Sequence, residues 1–389
     1  MEAELNIFAV CVLFAGAALL AALALYARQS LLVAYIVLGG LLGPSGLGLV
    51  SNTATIREIG HVGIIFLLFL LGLNLHPQKL LHGLRAATLV TLISSLVFAL
   101  VGFGIGRAFG FSMAESVLIG VMMPFSSTII SLKLLPTTAL HHRHTGEIII
   151  AVLLLQDVLA IAILLLLQGL GTEGLVWRAL APLMIALPAI TAAAFVVERY
   201  VLVPLMARFD SIQEYIFLTA IGWCLGVAQL AESAGLSYEI GAFIAGVALA
   251  TNRISLFISE HLKPLRDFFL IMFFFSLGAG FEPGVLPEVA VPAGVLAAAM
   301  LIIKPPVFRM LLVRSGEAVP LAWEVGIRLG QSSEFSLLIA VLAVQAGVLG
   351  QSASYVVQAA TLLTFIVSSY VVMLQFPTPI AVSDRLRRD

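Results

Sequence analysis

Apolar segments long enough to cross a bilayer recur along the whole chain, and this recurrence limits the possible folds more than any single motif does. A helix of about 20 apolar residues spans the ~30 Å hydrocarbon core of a membrane. About thirteen such helices are expected, so the sequence predicts an all-α polytopic membrane protein in which residues 1–389 form a single membrane domain. The segments lie at about 7–27, 31–49, 60–76, 86–108, 115–135, 147–168, 178–203, 212–232, 238–251, 266–281, 288–313, 320–346 and 351–376.

The charge content supports a membrane environment. Hydrophobic residues make up 61% of the chain and charged residues only 11%, whereas soluble domains carry about 25% charged residues. So few charges cannot cover a water-facing surface, so lipid must be the solvent. The net charge of -1 argues against a nucleic acid as partner.

The distribution of basic residues predicts the orientation. Glu2 and Glu4 stand where a cleaved signal peptide needs positive charge, so the first span is expected to be retained. If the N-terminus lies outside, most of the 20 Lys and Arg residues fall on the cytoplasmic side. Only Arg57, Arg107 and Arg178 then lie in outer connections. By the positive-inside rule, the N-terminus is outside and the C-terminus is cytoplasmic.

The two halves of the chain resemble each other. The strings "YIVLGGLLGPSGLGL" and "FLLFLLGLNLHP" of the first half correspond to "YEIGAFIAGVALA" and "FLIMFFFSLGAGFEP" of the second. Pro77 to Ser126 and Pro283 to Ser332 both span 49 residues. Chance similarity between apolar sequences rarely reproduces such spacing, so we predict an internal repeat.

The predicted repeats cover about 31–168 and about 236–376. They are offset by about seven helices, and an odd offset inverts the second copy in the membrane. Inverted repeats are typical of secondary transporters, whose site lies near the membrane midplane. Each repeat also contains one span interrupted by poorly helical residues, "MMPFSSTII" and "LGQSSEFSL". Broken helices at matching positions indicate a substrate site.

Asp157 is the strongest candidate for the chemistry of such a site. It lies near the centre of the apolar run "IIIAVLLLQDVLAIAILLLL", where an ionisable residue is energetically costly and is a functional candidate by default. Burial disfavours the charged form of a carboxylate, so Asp157 can hold either a proton or a monovalent cation. Gln156 offers a neutral oxygen beside it, unless its amide only satisfies helix packing.

Two further ionisable residues lie deep within spans. Lys304 precedes two prolines in "LIIKPPVF", and it either interacts with Asp157 or with the negative C-terminal end of a broken half-helix, or it extends to the cytoplasmic interface. Glu334 follows the second break, with Ser332 and Ser333 before it. An acid there stabilises the positive N-terminus of a half-helix, with a second proton carrier as the alternative.

The first break supplies hard oxygen ligands. Ser126, Ser127 and Thr128 offer hydroxyl and carbonyl oxygens, which suit a dehydrated cation. The alternative is that they only cap the half-helix that follows.

These motifs together resemble the monovalent cation:proton antiporter superfamily, and within it the Kef-type potassium efflux transporters. The resemblance covers about residues 35–335 and is carried by seven strings in order. They are "GGLLGPSGLGL", "FLLFLLGLNL", "SSTIISLKLL", "LLLQD", "LSYEIGAFIAGVALA", "RDFFLIMFFFSLG" and "QSSEFSLL".

The resemblance implies a fold of thirteen helices, with interleaved dimerisation and core subdomains and two broken helices that cross beside Asp157. It implies alternating access by an elevator-like motion with Asp157 as carrier, and it implies no enzymatic activity and no cofactor. The substrates would be K⁺ or Na⁺ and H⁺, and the pair Gln156–Asp157 is the Kef-like form that points to electroneutral K⁺/H⁺ exchange. A homodimer in a bacterial inner membrane is also expected.

Some features depart from the Kef-type pattern. "LNL" around Asn74 replaces the usual "LEL", and "SSEF" replaces "GGEF". Full Kef-type systems continue into a cytosolic nucleotide-binding domain, whereas no soluble regulatory domain precedes Asp389 in this sequence. A cytosolic regulatory domain or subunit is therefore left open as a partner. The competing functions are Na⁺(Li⁺)/H⁺ antiport and a gated cation channel or efflux system, although no filter-like sequence is present.

Overall fold

The computed structural model describes residues 7–27, 29–50, 54–74, 85–127, 131, 144–170, 176–209, 212–250, 252 and 254–376. Every regular element among these residues is a helix, which confirms the all-α class. Seven of the described helices are long and apolar enough to cross a membrane. Each predicted span contains a described helix, and the number of membrane crossings stays a prediction.

The helices are numbered here in chain order. They are α1 (Ile7–Tyr26), α2 (Leu31–Leu42), α3 (Ala54–Asn74), α4 (Arg85–Ala108), α5 (Met113–Met122), α6 (His144–Leu170), α7 (Val176–Val197), α8 (Val203–Arg208), α9 (Gln213–Ser233), α10 (Tyr238–Leu249), α11 (Ile254–Ala279), α12 (Leu286–Arg314), α13 (Val319–Arg328), α14 (Glu334–Gln345) and α15 (Gln351–Gln375). A π-helical turn, Glu198–Leu202, joins α7 to α8, and a 3-10 turn, Pro283–Val285, precedes α12.

The largest difference from the predicted spans concerns α11. The sequence predicts a span that starts at residue 266. The helix instead begins at Ile254 and contains Pro264. Lys263 and Asp267 lie at exposed positions of the helix, so their charges are compatible with a helix that begins before them.

The chain divides into two compact units that are each assembled from separate stretches. Unit 1 comprises residues 1–18, 35–82 and 168–280, and unit 2 comprises residues 19–34, 83–167 and 281–389, each where described.

Glycines set the helix packing in unit 1, where α3 packs against α10 and α11. A Cβ on Gly72 would strike the backbone of α10, and one on Gly246 would strike the backbone of α3. Likewise, a Cβ on Gly39 would strike α11, and one on Gly278 would strike α2. Small residues at such contacts allow membrane helices to pack backbone against backbone.

Unit 2 is built around α12, which packs against α4, α13 and α15. Helix α5 packs against α4, and α14 packs against α15. A capping box fixes the start of α5, since Ser112 Oγ accepts from the Glu115 N–H and Glu115 Oε2 accepts from the Ser112 N–H. All described residues that the sequence singled out for the site lie in unit 2.

Candidate functional site

Two helices of unit 2 stop short at the positions that the sequence indicated. Helix α5 ends at Met122, and the chain is non-helical from Met123 to Ser127. Pro124 explains this first break, because proline has no N–H to donate. Helix α13 ends at Arg328 and α14 begins at Glu334, which leaves residues 329–333 as the second break.

The two breaks are hydrogen-bonded to each other. Ser126 Oγ donates to the Leu329 carbonyl oxygen at 2.8 Å. Ser336 Oγ, in the first turn of α14, donates to the Met122 carbonyl oxygen at the end of α5 at 2.6 Å. These bonds satisfy carbonyls that the broken helices leave without intrahelical donors. The breaks therefore form one polar cluster inside an apolar unit.

Gln156, on α6, makes two hydrogen bonds to the backbone of the first break. Its Nε2 donates to the Pro124 carbonyl oxygen at 3.0 Å, and its Oε1 accepts from the Ser126 N–H at 2.9 Å. The side chain is buried. Both ends of the amide therefore replace backbone bonds that the break removes, and the role of Gln156 as a cation ligand stays a prediction.

Lys304, on α12, reaches both breaks. Its Nζ donates to the Phe125 carbonyl oxygen at 2.8 Å and to the Gln331 carbonyl oxygen at 2.9 Å. It also lies 5.4 Å from the centre of the Phe98 ring. These carbonyls follow the C-terminal ends of α5 and α13, where the helix dipole is negative and a cation is favoured. The side chain is fully buried, so it does not extend to an interface.

Asp157 follows Gln156 on α6 and is 3% exposed. Among the described residues, no donor lies within hydrogen-bonding distance of its carboxylate. Glu334 is buried at the first position of α14, where the positive end of the helix dipole favours an acid. A buried carboxylate without donors can be neutralised by a proton or by a bound cation.

Of the three candidate ligands in the first break, the structure describes two. Ser126 and Ser127 are both buried, and the Ser127 carbonyl oxygen accepts from Gln331 Nε2 at 3.4 Å. Thr128 lies outside the described residues. In the second break, Ser333 Oγ accepts from the Phe335 N–H at 3.1 Å and caps α14. The Ser332 N–H donates to Thr364 Oγ1 at 3.0 Å.

Sequence reasoning missed the role of Gln331. Its carbonyl oxygen accepts from Lys304, its Nε2 donates to Ser131 Oγ at 2.8 Å, and its Oε1 accepts from Ser368 Oγ at 3.0 Å. The position of Gln331, an amide beside a glycine in the second break, could have indicated this role. The backbone groups that a break frees need both hydrogen-bond donors and hydrogen-bond acceptors, and an amide side chain offers one of each. The polar positions of α15, including Ser368, were also overlooked.

Comparison with known proteins identifies the family. The model of the transmembrane sodium/hydrogen exchanger family matches residues 11–374. The chain belongs to the sodium/hydrogen exchanger family. Within the family, the putative K⁺ efflux antiporter KefB of Alkalimonas amylolytica is 31% identical over 350 residues, which cover 87% of this chain and 52% of that protein.

A second relative supports the Kef-type resemblance. The glutathione-regulated potassium-efflux system protein KefC of Cronobacter sakazakii is 32% identical over 337 residues, covering 83% of this chain and 53% of that protein. The chain thus spans about half the length of the curated relatives it matches.

A solved structure shares the fold of this family member. The sodium proton antiporter MjNhaP1 of Methanocaldococcus jannaschii matches with a TM-score of 0.64 and 16% identity, over 93% of this chain and 92% of that chain. At this identity the match shows the fold alone. Together with the apolar helices, these matches identify a multi-pass membrane protein.

Proposed function

We propose that this chain is a secondary transporter that exchanges K⁺ for H⁺ by alternating access. The observation that carries the proposal is Asp157, a buried carboxylate without a described donor. On α6 it directly follows Gln156, which is hydrogen-bonded to the first helix break. One proton and one monovalent cation compete for this carboxylate. Each exchange then moves equal charge in both directions, so the transport is electroneutral.

The other residues of the cluster have two proposed roles. Ser126, Ser127 and Thr128, with Gln156, contribute oxygens to the cation. Lys304, Glu334, Ser332 and Ser333 hold the two breaks in place. The contacts of Lys304 with the carbonyls of both breaks support this second role, because a buried ammonium group requires partners.

The proposal includes the arrangement in the membrane. The N-terminus lies outside and the C-terminus in the cytoplasm of a bacterial inner membrane, and two copies form a homodimer. The repeats at about 31–168 and about 236–376 are inverted. The matched glycine crossings of unit 1 support the repeat, since α2 meets α11 as α10 meets α3. The longer Kef-type relatives support a cytosolic regulatory domain or subunit as partner.

The second candidate is Na⁺(Li⁺)/H⁺ exchange at the same carboxylate. It is favoured by the shared fold of the sodium proton antiporter MjNhaP1. The two candidates differ only in the ion that Asp157 accepts. A gated channel is disfavoured, because Asp157 and the two breaks are enclosed in one packed unit without a described filter.

Purified protein in liposomes with an internal pH dye distinguishes these functions. K⁺, Na⁺, Li⁺ and Rb⁺ are added in turn, and protein-free liposomes correct for leakage. We expect K⁺ and Rb⁺ to drive proton movement, at a rate that valinomycin leaves unchanged. A response to Na⁺ and Li⁺ alone would identify the second candidate, and a rate that follows the membrane potential would contradict electroneutral exchange.

A further inference from the structure

Helix α15 carries a row of buried polar residues that the proposed exchange site does not use. The row, which we call the α15 seam, consists of Ser354, Gln358, Thr361, Thr364 and Ser368. Their spacing of three or four residues places them on one face of the helix. On a helix long and apolar enough to cross a membrane, a buried polar face must find partners in protein or water.

Most members of the seam have protein partners. Gln358 Nε2 donates to Ser354 Oγ at 2.9 Å. Thr364 Oγ1 donates to the Thr361 carbonyl oxygen at 2.7 Å and accepts from the Ser332 N–H at 3.0 Å. The last bond joins the seam directly to the second break.

Two hydroxyls, one on the α15 seam and one in the second break, lack the partners that the other groups have. Thr361 Oγ1 and Ser332 Oγ are fully buried, and neither has a hydrogen-bond partner among the described residues. Leaving a buried hydroxyl unpaired costs about 1–3 kcal/mol. Buried polar groups of this kind are normally satisfied by an ordered water, which typically makes about three hydrogen bonds.

We propose that Ser332 and Thr361 bind a buried water molecule at the second break, and that this water relays protons to Glu334. Glu334 lies two residues after Ser332, and its Oε2 is 3.4 Å from Ser333 Oγ. Water fits the pair better than a cation, because a dehydrated cation requires about six oxygen ligands and the pair offers two. The water site stands on the two hydroxyls alone, whereas its role for Glu334 rests on the proposed exchange.

Thermal unfolding of purified protein tests the water site without any transport measurement. Thr361→Val keeps the shape and removes the hydroxyl, and Thr361→Ser keeps the hydroxyl. If water is bound, Thr361→Val lowers the Tm by about 2 °C and Thr361→Ser retains most of the parental Tm. Ser369→Ala is the matched control, because Ser369 is buried on the same helix and its hydroxyl already donates to the Phe365 carbonyl oxygen.

A double variant and a salt series sharpen this test. Thr361→Val with Ser332→Ala should lower the Tm no further than the more harmful single change, because both hydroxyls hold the same water. An unchanged or raised Tm in Thr361→Val would show a dry hydroxyl and overturn the proposal. A Tm loss that is present in K⁺ or Na⁺ but absent in choline would assign the pair to a cation and also overturn it.

Transport kinetics test the role for Glu334. We expect Thr361→Val to lower the maximal exchange rate about fivefold, which corresponds to about 1 kcal/mol, with the KM for the cation unchanged. Thr361→Ser should restore the rate. A changed KM, or an unchanged rate, would reject the proton route. If the parent protein exchanges no ions, the proposed function fails, and the thermal test still decides whether the water site exists.

Discussion

The two helix breaks face each other but are held together in different ways. The first break, at Met123–Ser127, results from Pro124, and one side chain from α6 bonds to it on both sides. The second break, at residues 329–333, contains no proline, and several separate groups hold it, among them Lys304 and Thr364. At the first break a single residue, Gln156, makes two of the hydrogen bonds, and Lys304 and Gln331 add one each. At the second break Lys304 and Thr364 each make one bond.

Because of this difference, we expect substitutions at the two breaks to have unequal effects. A single change at Gln156 removes two hydrogen bonds from the first break, whereas a single hydroxyl change removes one from the second. Lys304 is the exception, because it donates to a carbonyl of each break. The two breaks also differ in the acid beside them, which is Asp157 for the first and Glu334 for the second.

The largest effect is expected from the acid beside the first break. Asp157→Asn keeps the volume of the side chain but removes the charge that a cation and a proton share, so exchange should fall to the level of empty liposomes. Glu334→Gln should slow exchange but leave it measurable, because Glu334 stabilises the start of α14 and receives protons, whereas Asp157 holds the exchanged ions. Proton movement in liposomes measures both.

The control for these two variants is a check that both fold as the parent does. Asp157→Asn and Glu334→Gln should elute from size exclusion as the parent does, since each amide matches its acid in shape. Residual exchange by Asp157→Asn, or complete loss in Glu334→Gln alone, would reverse the proposed roles of the two acids.

Lys304→Ala should have the largest effect on stability, because it acts on both breaks. It removes two hydrogen bonds from a charged donor, each worth about 1.5–3 kcal/mol, and leaves the carbonyls of Phe125 and Gln331 with one donor fewer. Arg309→Ala is the control on the same helix, where the guanidinium lies 5.7 Å from the Trp323 ring. A similar loss of Tm in both variants would contradict the conclusion that Lys304 stabilises the protein by its hydrogen bonds to both breaks.

Gln156 tests the dependence of the first break on one side chain. Gln156→Leu removes both hydrogen bonds and should destabilise the protein by about 2 kcal/mol. Gln156→Glu keeps the acceptor for the Ser126 N–H and loses only the donor to the Pro124 carbonyl oxygen when it is ionised. We therefore expect its Tm to lie between those of Gln156→Leu and the parent near neutral pH. A parental Tm for Gln156→Leu would show that other groups hold the break.

The sequence predicted the helical class and the positions of both breaks, because apolar length and helix-breaking residues are local signals. It also indicated Asp157 and Lys304, since buried charges stand out in apolar spans. It left three interactions open for Lys304, because the choice between Asp157, a half-helix end and the interface depends on distances between helices. The partners of Gln156 and Gln331 could not be predicted for the same reason, since most of them lie on other elements.

The smallest effect is expected from one hydroxyl of the second break. Thr364 Oγ1 donates to the Thr361 carbonyl oxygen and also accepts from the Ser332 N–H. Thr364→Val should cost about 1 kcal/mol, chiefly because the Ser332 N–H loses its acceptor. Thr191→Val is the matched control, because Thr191 Oγ1 likewise donates to a carbonyl of its own helix, that of Leu187, at 2.7 Å. The difference in Tm between the two variants then measures the bond to Ser332. An equal Tm in both variants would mean that this bond contributes nothing, and that the second break relies on Lys304 more than the distributed contacts suggest.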